Sequence, residues 1–322
     1  MADIFGVRAT ADLEILDTLI IICNNPGAQT HPAVVFDGQN YVVVYLEGVI
    51  DSRSGSVKVQ RISPHGIVMD NGINIGVGDD QPDIAFDGNR CLVVWPQEYV
   101  GLQGRFINGS GQPEGPVIDI STTQAISTLP TLDFGSQYYL VVWSDFCDAG
   151  TDLDVYGQLI SPTGNLVGIR IGIADGIQSQ HSPYAIWANG RYLVVWTEGA
   201  NTIYGRFITA QGAPQGLPFP ISDITPYERQ HPAVTAGSQN YLVVWNEFHD
   251  DFDLYGNLDT NVGIEECHFS TPRITTQVGK YVRQGSRMYD INGRVVSKIN
   301  VGPGVYFIEG EDKTISKIVV VR

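Results

Sequence analysis

The chain has 322 residues, 43% of them apolar and 17% charged, with 36 glycines and 17 prolines, so it can bury a large core and is not a disordered tail. Its 35 acids against 19 bases leave a net charge of −16 and a sequence pI near 4.6. That field repels nucleic acid and anionic membrane and leaves cations and neutral ligands as partners.

No apolar run approaches the ~18 residues of a membrane-spanning helix. The stretch Leu19-Ile20-Ile21-Ile22-Cys23 is short and lacks the basic start and small-residue cleavage site of a signal peptide. Just before it, Asp3-Ile4-Phe5-Gly6-Val7-Arg8 reads as a strand of a kind that returns later in the chain.

From Pro32 a fourteen-residue block recurs five times without gaps, starting at Pro32, Pro82, Pro130, Pro183 and Pro232, at spacings of 50, 48, 53 and 49 residues. Each block is an apolar run, a turn rich in Gly and Asn, and a second run such as Tyr192-Leu193-Val194-Val195-Trp196, which is a β-hairpin pattern. The second run is apolar at odd and even positions alike, so both its faces are buried, as in a sheet held between two others. A third strand follows, as in Val155-Tyr156-Gly157-Gln158-Leu159-Ile160 and Ile203-Tyr204-Gly205-Arg206-Phe207-Ile208, and then a weaker fourth. Four short strands per unit of about 50 residues predict an all-β fold, a five-bladed β-propeller over residues 1–262.

The third-strand motif occurs six times against five hairpins, because Asp3–Arg8 matches Asp253-Leu254-Tyr255-Gly256-Asn257-Leu258. Strands within residues 1–26 therefore either close the ring or dock on a neighbouring molecule, which would make a homo-oligomer. The four cysteines, at 23, 91, 147 and 267, have no metal-ligand spacing. Cys91 reads as a small buried hydrophobe, and ring closure would bring Cys23 and Cys267 together as a disulfide.

After Val262 the repeat stops, and residues 263–322 read as a small C-terminal β-sandwich-like domain. Its strands and turns are carried by Met288-Tyr289-Asp290-Ile291-Asn292-Gly293-Arg294-Val295-Val296, Gly302-Pro303-Gly304-Val305-Tyr306-Phe307-Ile308 and Lys317-Ile318-Val319-Val320-Val321-Arg322. This pattern resembles the C-terminal sorting domain of bacterial proteins exported by the type IX secretion system. The resemblance implies a delivery and attachment signal read by the secretion machinery, and an extracellular or outer-surface location. The blades are similar to repeats of about fifty residues in secreted bacterial proteins that carry the same Tyr-Leu-Val-Val-Trp and Tyr-Gly motifs.

Three constellations are candidates for chemistry. His31, Gln81, His181 and His231 stand at or next to the residue before the block proline and are expected to ring the axis on one rim, as hydrogen-bonding groups or as metal ligands. Two residues after each strand-ending aromatic comes Glu47, Gln97, Asp145, Glu198 or Glu247, and an acid beside an aromatic in every blade is how a repeated sugar site would look, with Glu47, Glu198 and Glu247 as ligand-binding residues. The loops that follow carry Asp145, Asp148 and Asp152, and Asp250 and Asp251, a carboxylate set suited to Ca²⁺.

The leading functional expectation is a secreted, non-catalytic binding or adhesion module with a glycan or cell-surface ligand. One alternative is a structural protein assembling into filaments or surface layers by strand donation. A second alternative is a polysaccharide-active hydrolase, whose two carboxylates would be the inner-strand acids Asp83 and Asp133 on adjacent blades.

Overall fold

In a computed structural model of the chain, the described residues are 3–10, 15–17, 19–48, 54–122, 128–146, 152–237, 240–249, 252–259, 287–290, 304–309 and 315–320. They are all-β. Strands β1 (Ile4–Gly6) and β2 (Ile20–Cys23) pair with each other and form a separate two-stranded sheet. Blade 1 holds β3 (Ala28–Phe36), β4 (Tyr41–Gly48), β5 (Gly55–Ile62) and β6 (Ile73–Gly78). Blade 2 holds β7 (Asp83–Phe86), β8 (Cys91–Gln97), β9 (Gly101–Ile107) and β10 (Pro113–Ser121). Blade 3 holds β11 (Thr128–Phe134), β12 (Tyr139–Asp145), β13 (Asp154–Ile160) and β14 (Leu166–Ala174). Blade 4 holds β15 (Gln180–Ala188), β16 (Arg191–Glu198), β17 (Thr202–Thr209) and β18 (Pro214–Pro220). Blade 5 has three described strands, β19 (Glu228–Ala236), β20 (Tyr241–Phe248) and β21 (Phe252–Asp259). The arrangement is a five-bladed β-propeller, with every blade an antiparallel meander.

The repeated block is the inner hairpin of each blade. Its turn is built by side chain and backbone together. Asp37 Oδ1 accepts the N–H groups of Gln39 at 2.8 Å and Asn40 at 2.6 Å, and Gly38 takes a φ of +87° that a side chain would oppose. The second strand is buried on both faces because a blade lies on each side of it. In β12 every residue from Tyr139 to Asp145 is buried. One hydrophobic cluster fills each of the four junctions from blade 1 to blade 5: Val44 and Val57 meet Trp95, Leu92 and Phe106 meet Tyr139, Leu140 and Leu159 meet Trp196, and Leu193 and Phe207 meet Trp245. Burying one such large side chain is worth roughly 1.5–3 kcal/mol, so the blade-to-blade contacts, more than the hairpins alone, hold the ring. The fit is close. A Cβ on Gly76 of blade 1 would stand 2.5 Å from the Trp95 ring of blade 2.

The surplus third-strand motif has a definite place. Arg8 forms an ion pair with Asp17 at 2.6 Å and donates to the carbonyl of Pro64 in blade 1 at 2.5 Å. Arg61 of blade 1 does the same with Asp70, at 2.9 Å, and with the carbonyl of Gly109 in blade 2, at 2.9 Å. Ile4, Ile20, Ile22 and Cys23 pack on Val43, Tyr45 and Ile62 of blade 1. The β1–β2 sheet thus docks on blade 1 as each blade docks on its successor, and it is the outer half of a blade. Cys23 and Cys91 are buried free thiols, whereas Cys147 and Cys267 lie outside the described residues. At the C-terminal end β22 (Arg287–Asp290), β23 (Gly304–Glu309) and β24 (Ile315–Val320) form a three-stranded antiparallel sheet, the part of residues 263–322 that is described.

Candidate active site

The innermost strands β3, β7, β11, β15 and β19 line the axis, each next to its successor. Along them the second and fourth positions of the block face the following blade. At these positions blade 2 carries Asp83, blade 3 carries Thr131 and Asp133, and blade 4 carries Tyr184. Asp83 Oδ2 accepts the N–H of Leu132 on blade 3 at 3.0 Å. Asp133 Oδ2 accepts the N–H of Trp187 on blade 4 at 2.7 Å, while its Oδ1 accepts that of Phe134 at 2.7 Å. Thr131 Oγ1 donates to the Pro183 carbonyl at 3.3 Å. Three consecutive inner strands are therefore stitched together by two carboxylates and a hydroxyl.

The electrostatics follow from this placement. Burial pushes the Asp83 carboxyl up to about 7, against the pull of the Leu132 and Ile84 N–H groups, and the Asp133 charge raises it further. Asp133 is itself raised, chiefly by burial, against the N–H groups of Trp187 and Phe134. The Tyr184 phenol is raised by burial and by the charges of both aspartates. Two carboxyls on adjacent inner strands, both raised and one of them to about 7, are candidates for acid and base work.

The rim residues sit where the inner strands begin. His31, Leu129, Ser182 and His231, each directly before its block proline, have left-handed φ values of 53°, 49°, 54° and 51°, and the strand carries a bulge there in blades 1, 3, 4 and 5. A non-glycine residue in this region is strained, and a bulge re-aims the neighbouring side chains. The four sequence-selected rim residues do not converge on one point. His31 Nε2 lies 3.9 Å from Asp80 Oδ1, and Asp80 Oδ1 also accepts the Gln81 N–H at 2.8 Å. The His181 ring lies within hydrogen-bonding distance of the Gly199 carbonyl, at 3.1 Å, and of the Ser182 hydroxyl, at 3.2 Å; burial lowers its pKa, and His231 adds to the effect. Among the described residues no group of three or more His, Cys, Asp or Glu is arranged to hold a metal ion.

The acids that follow the aromatic strands turn inward. Glu198 Oε2 accepts the Trp196 indole N–H at 3.0 Å, and its Oε1 accepts Gln180 Nε2 at 3.0 Å. Asp145, fully buried, accepts the Trp143 indole N–H at 3.3 Å. Glu47 accepts Asn25 Nδ2 at 3.0 Å and lies 3.4 Å from Lys58 Nζ. Glu247 pairs with Arg229 at 2.5 Å. Trp95, Trp143, Trp196 and Trp245 are all enclosed in the core, so their ring faces offer no platform for a sugar. Of the acids expected to bind Ca²⁺, Asp145 is committed to the core, Asp152 is exposed, and Asp148, Asp250 and Asp251 lie outside the described residues.

Sequence columns alone had not singled out Tyr184 or the polar partners three residues before the block proline, Gln29, Gln180 and Arg229. The last three stand directly across the hairpin from Glu47, Glu198 and Glu247. Reading each column for its exceptions would have found them.

Neither a protein-family model nor a curated protein sequence matches the chain. Solved structures do. An exo-β-1,3-galactanase from Phanerochaete chrysosporium matches with a TM-score of 0.50 at 12% identity, over 89% of this chain and 72% of that one, a likeness of fold. An α-L-arabinanase from Penicillium chrysogenum gives 0.49 at 15% identity over 68% and 71%, and an endo-arabinase from Bacteroides thetaiotaomicron 0.43 at 11% over 74% and 95%. The expectation of a non-catalytic binding and adhesion module is corrected here: the galactanase whose fold this chain shares is an enzyme. The physical reason lies in the inner strands, where near-identical repeats differ at the columns that face the following blade and so hold one asymmetric pair, Asp83 and Asp133.

Proposed function

We propose that the chain is a polysaccharide-active glycoside hydrolase. The observation that carries the reading is the pair of acids on adjacent inner strands, Asp83 and Asp133, each held by an N–H of the next blade at 3.0 and 2.7 Å, with burial pushing Asp83 up to about 7 and raising Asp133 as well. Glycosidic cleavage needs one carboxylic acid to protonate the leaving oxygen and one carboxylate to act on the anomeric carbon directly or through water. Asp83 takes the first role and Asp133 the second. The galactanase structure indicates which substrates to try first, galactans of different linkage. Incubating the full chain with a panel of these polymers and measuring new reducing ends should give product on at least one; none on any polymer overturns the reading.

The location that goes with this activity is the cell exterior. Polymers too large to enter a cell are cut outside it, and the pattern at Met288–Val296, Gly302–Ile308 and Lys317–Arg322 supports delivery by type IX secretion. Fusing residues 263–322 to a fluorescent protein in a bacterium with that system should send the reporter to the surface or medium. Retention inside would remove the sorting role.

A further inference from the structure

The core tryptophans offer no face to a sugar, but other rings do. Among the described residues of blades 2 to 5, the exposed aromatic side chains are Tyr99, Phe146, Tyr184, Tyr227 and Phe248. Tyr184 is on the inner strand β15. The other four stand at one end of the ring, the end where the inner strands begin: Tyr99 and Phe146 just past β8 and β12, Tyr227 just before β19, and Phe248 closing β20. Tyr99 and Phe146 belong to the two blades that carry Asp83 and Asp133. At the matching place, three residues past the strand-ending aromatic, blades 1 and 4 have Gly48 and Gly199. Asp83 is the first residue of β7 and lies nearer this end than Asp133, which pairs with Leu140 beside the hairpin turn.

Tyr99 is held against its own preference. Its φ is +62°, in the left-handed region that aromatic residues rarely adopt, and 76% of the residue is exposed, so core packing does not offset the strain. Glycine or asparagine would sit there more easily. The turn around it is fixed. Val100 N–H donates to the Gln97 carbonyl at 3.0 Å, Glu98 N–H donates to Asp79 Oδ2, and Asp79 N–H donates to the Pro96 carbonyl at 3.1 Å. These bonds tie Tyr99 to the segment that runs into Asp83. A fixed turn that presents a strained, exposed ring at this end of the axis is suited to a ligand rather than to the core. We propose that this end of the ring is a polysaccharide-binding face, on which Tyr99 and Phe146 each stack a sugar unit of the polymer cut at Asp83 and Asp133, and that the polymer is neutral. Single rings set among polar loops suit the C–H faces of sugar units, whereas a protein partner is met by a continuous apolar centre. The carboxylates of Asp79 and Glu98 beside Tyr99, within a chain of net charge −16, repel a polyuronate. The position of the cut rests on the hydrolase reading; the binding does not.

Electrophoresis of the full chain through gels containing β-1,3-galactan, β-1,4-galactan, arabinan, xylan or polygalacturonate reads binding without any need for cleavage. Retardation by at least one neutral polymer is expected, and none by polygalacturonate. Tyr99→Asn keeps the left-handed turn and removes the ring, so it should weaken retardation about fivefold while the melting temperature holds or rises. Phe146→Ala should weaken it by a similar factor. Ile169→Ala, at an exposed apolar position on the outer strand of blade 3, should leave it unchanged. Retardation by no neutral polymer, stronger retardation by polygalacturonate, or insensitivity to both ring variants overturns the proposal. So does a lower melting temperature for Tyr99→Asn with retardation intact, since the ring would then serve the fold. Retardation that both variants weaken, in a chain that releases no reducing ends, keeps the binding face and removes the hydrolase reading instead.

Discussion

Asp83→Asn is expected to reduce sugar release by at least 10²-fold while leaving the propeller folded. The asparagine side-chain oxygen can still accept the Leu132 N–H that Asp83 Oδ2 accepts at 3.0 Å, so the stitch between blades 2 and 3 survives. What is lost is the proton. General-acid catalysis contributes about 10²–10⁴-fold, and an amide cannot supply it. The wild-type rate should fall as pH rises through about 7, where Asp83 gives up its proton, and the residual rate of the variant should lack that limb.

The same group leaves a mark on stability, independent of any substrate. Its folded pKa is raised above the unfolded carboxylate value of 3.8, so between about pH 4 and 7 the native state holds a proton that the unfolded state has released. The stabilisation is therefore full below pH 4 and lost as pH rises through 7. Melting temperatures measured from pH 4 to 8 should decline more steeply for the wild type than for Asp83→Asn. Equal slopes would show that Asp83 ionises normally, and the assignment of the acid would fail.

The blades were legible in the sequence because a propeller repeats one local problem five times. Each second strand must be apolar on both faces, and Tyr139-Leu140-Val141-Val142-Trp143 has no other reading. The surplus third-strand motif was legible too, in the sixth copy at Asp3–Arg8. Its position was not legible, because docking by Arg8 on Pro64 depends on a carbonyl 56 residues away that no pattern marks. The site was half legible. Asp83 and Asp133 stood out as acids on apolar inner strands, but Tyr184, in the same column as Asp83, is an aromatic that no charge pattern marks. The acids after the aromatics misled for a related reason. From spacing alone a carboxylate beside a tryptophan looks like a sugar site, and only the burial of Trp143 and Trp196 turns each acid into an acceptor for the indole N–H. Similarity between repeats hides such differences, since a column of acids has the same appearance whether its members face solvent or core.

That column also sets the largest expected change in stability. Glu247→Ala should lower the unfolding free energy by about 3–5 kcal/mol, the range for removing one partner of a buried ion pair. Arg229 and Glu247 have side chains only 5% and 4% exposed and meet at 2.5 Å, and the guanidinium lies 5.4 Å above the Trp245 ring. His249 Nε2 stands 2.9 Å from the other carboxylate oxygen, and the Tyr255 hydroxyl is 3.0 Å from that same nitrogen. Alanine leaves the Arg229 charge enclosed without its carboxylate, and blade 5 must either open to water or bury the charge alone. Glu47→Ala, in the same column of blade 1, should cost about 1 kcal/mol or less, because its partner Lys58 is 18% exposed at the side chain and water can take over. Urea unfolding of both variants measures the contrast. Equal losses would mean that burial does not decide the strength of these pairs, and a loss below 1 kcal/mol for Glu247→Ala would mean that blade 5 relaxes freely around the unpaired arginine.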